Sequence, residues 1–172
     1  MKKLFLLTVT TLLSVIGIQA QNDQDHGHIF KGQWQVEINT GANTTGATGF
    51  ALVSSSTNTA WALGAEGSYF VADDLGIKLG LGYSDNNGIS GGTFNYKIGA
   101  KYYITHNIPL GIDFTGATND NFNASWIGVQ GGYAIFVTDQ LSIEPTLRYN
   151  ITTDDQKADS LFQALIGFAY HF

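Results

Sequence analysis

The chain of 172 residues has no cysteine, two prolines, one methionine and few charges, eight Lys and Arg against 14 Asp and Glu. Without cysteine there are no disulfides, no thiol chemistry and no lipid attachment of the lipoprotein kind. With so few bases and a net charge of −6, the chain lacks the basic surface that grips nucleic acid. Beyond the first 20 residues there is also no long apolar run at helical spacing. What is plentiful is glycine, 21 residues, and aromatic side chains, 11 Phe, eight Tyr and three Trp. Together these features point to one all-β domain.

The amino terminus is read separately. Met1-Lys2-Lys3, the apolar run Leu4 to Ile18 and the small-residue site Gln19-Ala20-Gln21 have the three sections of a secretory signal peptide. The apolar run falls short of the roughly 20 residues of a membrane helix. Cleavage after Ala20 removes Lys2 and Lys3 and takes the formal charge from −6 to −8. Residues 21–32 are expected to form a short periplasmic leader. Its Asp23, Asp25, His26 and His28 mix metal-capable side chains, but their spacing matches no closed site, so no metal or other cofactor is expected.

From Gln33 onward, steps of two residues divide the chain into eight segments, each apolar on one face and polar, small or glycine on the other. The last one shows the pattern best: Phe162, Ile166, Phe168, Tyr170 and Phe172 share a face with small Ala164, opposite Gln163, Gly167 and His171. Each segment is close to the roughly 9–11 residues of a tilted transmembrane strand. No Asp, Glu, Lys or Arg falls on any apolar face. A slip of one residue would move Glu37, Glu66, Lys78, Lys97, Lys101, Asp113, Glu144 and Arg148 into lipid together. At the bilayer midplane a Lys or Arg there costs about 2–4 kcal/mol. The expected fold is therefore an all-β, eight-stranded antiparallel transmembrane up-and-down β-barrel over residues 33–172.

Connections alternate in length. Ala72-Asp73-Asp74, Thr105-His106-Asn107 and Thr138-Asp139-Gln140 are tight, whereas residues 42–60, 85–92, 116–124 and 151–160 are longer. Outer-membrane barrels have short periplasmic turns and longer external loops, so both termini are expected in the periplasm. Pro145 lies inside the seventh segment without an N–H for the ladder, and a bulge or local gap is expected there.

These features resemble the small bacterial outer-membrane barrels related to OmpX, the OmpA transmembrane domain and OmpW. The carriers are the opening Phe30-Lys31-Gly32-Gln33-Trp34-Gln35-Val36 and the ending Gly167-Phe168-Ala169-Tyr170-His171-Phe172. In such proteins an ending of this form is the signal read by the barrel insertion machinery. The resemblance thus implies an assembly signal at Gly167, Tyr170 and Phe172, transient contact with that machinery, and a home among outer-membrane lipid and lipopolysaccharide. The usual polar residue at the start of the signal is replaced here by Leu165.

The interior of an eight-stranded barrel is just wide enough for side chains. The inward phase carries four acids, Glu37, Glu66, Asp113 and Glu144, and four bases, Lys78, Lys97, Lys101 and Arg148, among glycines that leave them room. Counted from the turns, Glu66 and Lys78, and Lys101 and Asp113, are expected to meet across the ladder. A charged ring of this kind can line a pore. The favoured expectation is a paired polar core that plugs the barrel.

Some eight-stranded barrels modify lipid A with a His, a Ser and a carboxylate at the outer leaflet, but His106 and His171 fall at the opposite end. A loop Ser without an adjacent base is a weak nucleophile, so no enzyme is expected. The loop residues Asp85, Asp120, Asp154, Asp155 and Asp159, against Lys157 alone, are read as a solvated acidic face. In the first loop, Gly49-Phe50-Ala51-Leu52-Val53 is apolar, and Phe50, Leu52, Val53 and Trp126 are expected either to form an apolar mouth for small hydrophobic solutes, as in OmpW-type barrels, or to belong to a raised hairpin or lid. The first expectation for function is a non-enzymatic barrel serving envelope integrity or surface interaction. Intact-mass measurement of the membrane-extracted protein is expected to give a chain beginning at Gln21.

Overall fold

The computed structural model describes residues 29–41, 48–86, 90–121 and 123–172. The signal segment, most of the leader with Asp23, Asp25, His26 and His28, and part of the first loop lie outside the described residues. Ten strand segments form one sheet: β1 Trp34–Thr40, β2 Gly49–Ser54, β3 Thr59–Ala72, β4 Leu75–Asn86, β5 Ser90–Ile104, β6 Ile108–Thr118, β7 Asn123–Gly132, β8 Ile135–Phe136, β9 Leu141–Thr152 and β10 Leu161–His171.

Nine of them close into a barrel in the order β10-β1-β2-β3-β4-β5-β6-β7-β9, sealed by the pairing of β9 with β10, and the two-residue β8 pairs on β9 beyond the end of β7. The expected count of eight is thus corrected, for two local reasons. The first loop folds into β2, which wedges between β1 and β3, parallel to β1 through Asn39 and Thr40 and antiparallel to β3. Toward the turns β2 is absent from the ring, and β1 pairs directly with β3 from Trp34↔Tyr69 to Glu37↔Glu66.

The second reason is Pro145. In β9 its carbonyl accepts from Tyr133 N–H at 3.1 Å, so its missing N–H falls on the same edge. Opposite this point the ladder of β7 ends at Gly132↔Thr146 and resumes in β8 at Ile135↔Ile143. The expected gap therefore lies in the neighbouring strand. Between the two pieces Ala134 turns away and donates its N–H to Asn107 O at 2.7 Å. On the β10 side Pro145 holds its place opposite Ile166 without a register shift.

Period-two alternation produces the two surfaces of the wall. Leu79, Leu81, Ile98, Ile112 and Leu147 are each more than half exposed on the outside, whereas all eight charged side chains of the expected interior are buried. Strands run further than the apolar belt, up to 15 residues in β5, because β4 to β7 continue into stretches expected to be loop. The tight connections lie where expected, with Asp74, Thr105 and His106 at positive φ. Phe172 closes the seam by exchanging two backbone hydrogen bonds of 2.9 Å with Trp34.

Ile98 sits on the outer face between Leu79 and Phe114. Ile98→Arg is expected to lower unfolding free energy in phospholipid vesicles by about 2–4 kcal/mol, measured by urea titration.

Candidate functional site

The interior of the barrel is the candidate site, and glycine determines how it is built. Glu66, Gly80 and Lys97 are consecutive partners across β3, β4 and β5, so the Lys97 ammonium reaches over Gly80 to pair with Glu66 Oε1. A Cβ on Gly80 would stand 3.2 Å from Glu66 Cγ and from Lys97 Cβ. A second glycine bridge runs diagonally across β6, β7 and β9, where Arg148 is itself the partner of Gln130. Asp113 faces Gly128, and the Arg148 guanidinium crosses that glycine to donate to both Asp113 oxygens at 2.5 and 2.7 Å. A Cβ on Gly128 would lie 2.0 Å from Arg148 Nη2.

These two bridges form the half of the network nearer the loops. Lys78 Nζ pairs with Glu66 at 2.8 Å and lies 4.0 Å from Asp113, which joins them. Arg148 also donates to Asn150, Gln130 and Thr115. Thr48, at the root of β2, enters the lumen and donates its hydroxyl to Glu66 at 2.5 Å. Nearer the turns, Lys101 spans the lumen to Glu37 at 2.7 Å on β1 and Glu144 at 2.6 Å on β9. Tyr103 and Ser142 hydroxyls donate to Glu144 at 2.7 and 3.0 Å, and Gln35 donates to Tyr103.

Glu66 and Lys78 thus meet, whereas the expected Lys101 and Asp113 pair is corrected. Asp113 stands opposite Gly99 and Lys101 opposite Gly111, the same two-residue stagger that separates Glu66 from Lys78. Here, however, Lys101 is taken by Glu37 and Glu144 across the lumen and Asp113 by Arg148. The loop-side group holds three bases and two acids, the turn-side group one base and two acids, so the charges balance only over the whole interior. Buried charges are tolerated when they are paired, and each of the eight has an ion-pair partner, Lys78 Nζ and Glu66 Oε2 by charge alone.

Each end carries an apolar cap. At the loop end, Trp126 is buried with Ala117 and Ala124, half-buried Ala158 packs against them, and the Trp126 indole N–H donates to Asp159 O at 3.1 Å, which fastens the β9–β10 loop over the mouth. In that loop Lys157 lies 3.1 Å from Asp154 and, with the Gln156 N–H, holds the Asp154 carboxyl below its ordinary range. Phe50 and Leu52 do not join Trp126. They pair with Thr40 and Trp61 on the outer face, and Val53 is exposed at the rim, so the four apolar residues of the expected mouth are not brought together. At the turn end, Ile29 is buried with Phe70, Tyr103 and Ala134, packed on by Phe136. This cap draws on a residue of the leader that sequence reasoning passed over. Its signal was the apolar pair Ile29-Phe30 at the end of a polar stretch.

Ser142, Glu144 and His171 are the types of a nucleophilic triad, but they are arranged against catalysis. Ser142 Oγ is 3.3 Å from His171 Nε2, yet it donates to the carboxylate of Glu144, and all three side chains are buried. A triad instead needs the carboxylate on the imidazole and the hydroxyl open to substrate. In the ending, Gly167 lies between Asn39 and Glu144, Tyr170 is outward with its hydroxyl donating to Gln140, and Phe172 stacks near it at 6.1 Å.

No family model matches the chain, and no curated protein matches it. Among solved structures, the N-terminal β-barrel domain of Pseudomonas aeruginosa OprF is similar with a TM-score of 0.52 and 15% identity, covering 83% of this chain and 99% of that one. The Pseudomonas aeruginosa outer membrane protein OprG gives 0.49 at 13% identity over 86% and 99%, and the Yersinia pestis outer membrane protein Ail 0.46 at 12% over 83% and 100%. At this identity the likeness to the OprF domain is one of fold: the chain has the closed all-β architecture of a small outer-membrane barrel.

Asp113→Asn or Arg148→Met alone leaves one buried charge unanswered and is expected to cost about 3–5 kcal/mol in vesicle unfolding experiments. The double variant is expected to recover most of that loss.

Proposed function

We propose that the protein is a bacterial outer-membrane β-barrel that works without catalysis and without steady conduction, in envelope integrity or surface interaction. The observation that carries this reading is the lumen itself, crossed by a fully paired charge network and capped at each end by an apolar cluster. A pore needs mobile counterions and a continuous polar route. Here each fixed charge already has a fixed partner, and the caps stand in line with the network.

In this reading the outer belt meets hydrocarbon, with Tyr69, Tyr102, Tyr133 and Tyr170 toward one rim and Trp61, Tyr83 and Tyr149 toward the other, the placing of interfacial aromatic girdles. The turn end faces the periplasm together with both termini, and the loop end faces outward. Residues 1–20 direct export. The insertion machinery reads Gly167, Tyr170 and Phe172, and lipid and lipopolysaccharide are the standing partners. Passage of small hydrophobic solutes, the alternative, requires Phe50, Leu52 and Val53 to share a route with Trp126, and their separation speaks against it.

The purified protein in planar bilayers is expected to show no steady conductance above the lipid baseline, and proteoliposomes to take up small sugars no faster than empty vesicles. Large, stable channels would overturn the proposal.

A further inference from the structure

His171 is an interior group whose hydrogen bonding is left incomplete by every protonation state. Its ring is buried at the turn end of β10. Nε2 lies 3.4 Å from Gln35 Nε2 and 3.3 Å from Ser142 Oγ, while Nδ1 is buried without a hydrogen-bond partner among the described residues. The Ser142 proton is committed to Glu144, so a neutral ring uses Nε2 either to accept from Gln35 or to donate to Ser142. Nδ1 is unanswered in both tautomers. An imidazolium would bury an N–H and a charge with no acceptor at Nδ1.

The surroundings sharpen the point. From β1 the ring is faced by Gln35 and Glu37, from β5 by Lys101 and Tyr103, and from β9 by Ser142 and Glu144. Lys101 engages both carboxylates, each through Oε2, and no acceptor stands at His171 Nδ1 among the described residues. On its remaining side the ring lies 5.5 Å from the ring of Phe136, and Phe136 packs against Ile29, Phe70, Tyr103 and Ala134. His171 lies at the turn end of β10, so the shortest path by which a protonated ring reaches water is outward past the turn-end rim.

We infer that His171 and Phe136 form an acid-sensitive latch on the turn-end cap. With the imidazole neutral, the ring stays inside, supports Phe136 and keeps the Ile29 strap seated, held by Gly32 N–H to Phe70 O at 2.8 Å and Asp74 N–H to Ile29 O at 3.2 Å. The proton taken up in acid gives an imidazolium whose buried Nδ1–H has no acceptor among the described residues. The ring leaves for water, and Phe136 and the strap lose their support. Closure is thus present at neutral pH and lost as pH falls, the sign for a group buried in its neutral form. The loop-side network and the Trp126 cap do not contact His171, so the latch admits water to Tyr103 and Lys101 without opening a path across the barrel. Its failure is therefore distinct from a failure of the non-conducting reading.

The absence of native cysteine makes the test direct. Ala134→Cys places a thiol in the cap, and Ser55→Cys gives an exposed reference. Both are reacted in lipid nanodiscs with 4,4′-dithiodipyridine, which captures thiols in acid. The rate at Ala134→Cys relative to the reference is expected to rise on the order of tenfold between about pH 7.5 and about pH 4.5. With His171→Asn added, that ratio is expected to be flat. No rise without the added substitution, or an equal rise with it, overturns the latch, the second result assigning the change to Glu37 or Glu144. If His171→Asn does not fold, Phe136→Leu decides the matter: it should raise the ratio at neutral pH and shrink its pH dependence, and an unchanged profile overturns the inference.

Discussion

A strand in a barrel wall has two sides, and no charge is stable on one of them. That single constraint organises the molecule. It sends Glu37, Glu66, Lys78, Lys97, Lys101, Asp113, Glu144 and Arg148 into one narrow lumen, where water is scarce and every charge must find an opposite. Lipid exposure outside and electrical balance inside are two consequences of the same parity.

Meeting the second demand takes room, and room comes from glycine on intervening strands. Gly80 lets Lys97 reach Glu66, and Gly128 lets Arg148 reach Asp113, each pair separated by one whole strand. An ion pair spanning two strand intervals ties three strands at once. The network therefore stiffens the wall as well as neutralising its contents, and apolar caps at Trp126 and Ile29 keep water from competing with the pairs.

How much of this was legible from residues varies with the range of the interaction. The inward and outward sets follow from period two and from where charge is intolerable, so they could be read strand by strand. Pro145 announced a gap, but the gap fell in β7 and β8, because the lost N–H is felt by the strand it would have bonded. The Lys101 partner was misjudged because counts from the turns compare adjacent strands only, whereas Glu37 and Glu144 reach Lys101 from across the closed ring. The first loop looked apolar enough for a mouth, yet Phe50 and Leu52 joined the outer belt once β2 added itself to the sheet.

The sequence by itself determined the all-β barrel class, the face each strand residue takes and the need for internal charge balance, since all three rest on alternation and on the cost of charge in hydrocarbon. Tertiary structure alone decided which acid meets which base, that Thr48 and Ile29 enter the lumen from outside the regular strands, and that Trp126 lies under the β9–β10 loop apart from Phe50. Those outcomes depend on register, shear and closure of the ring. They relate residues far apart in the chain, and no local pattern encodes the distance between them.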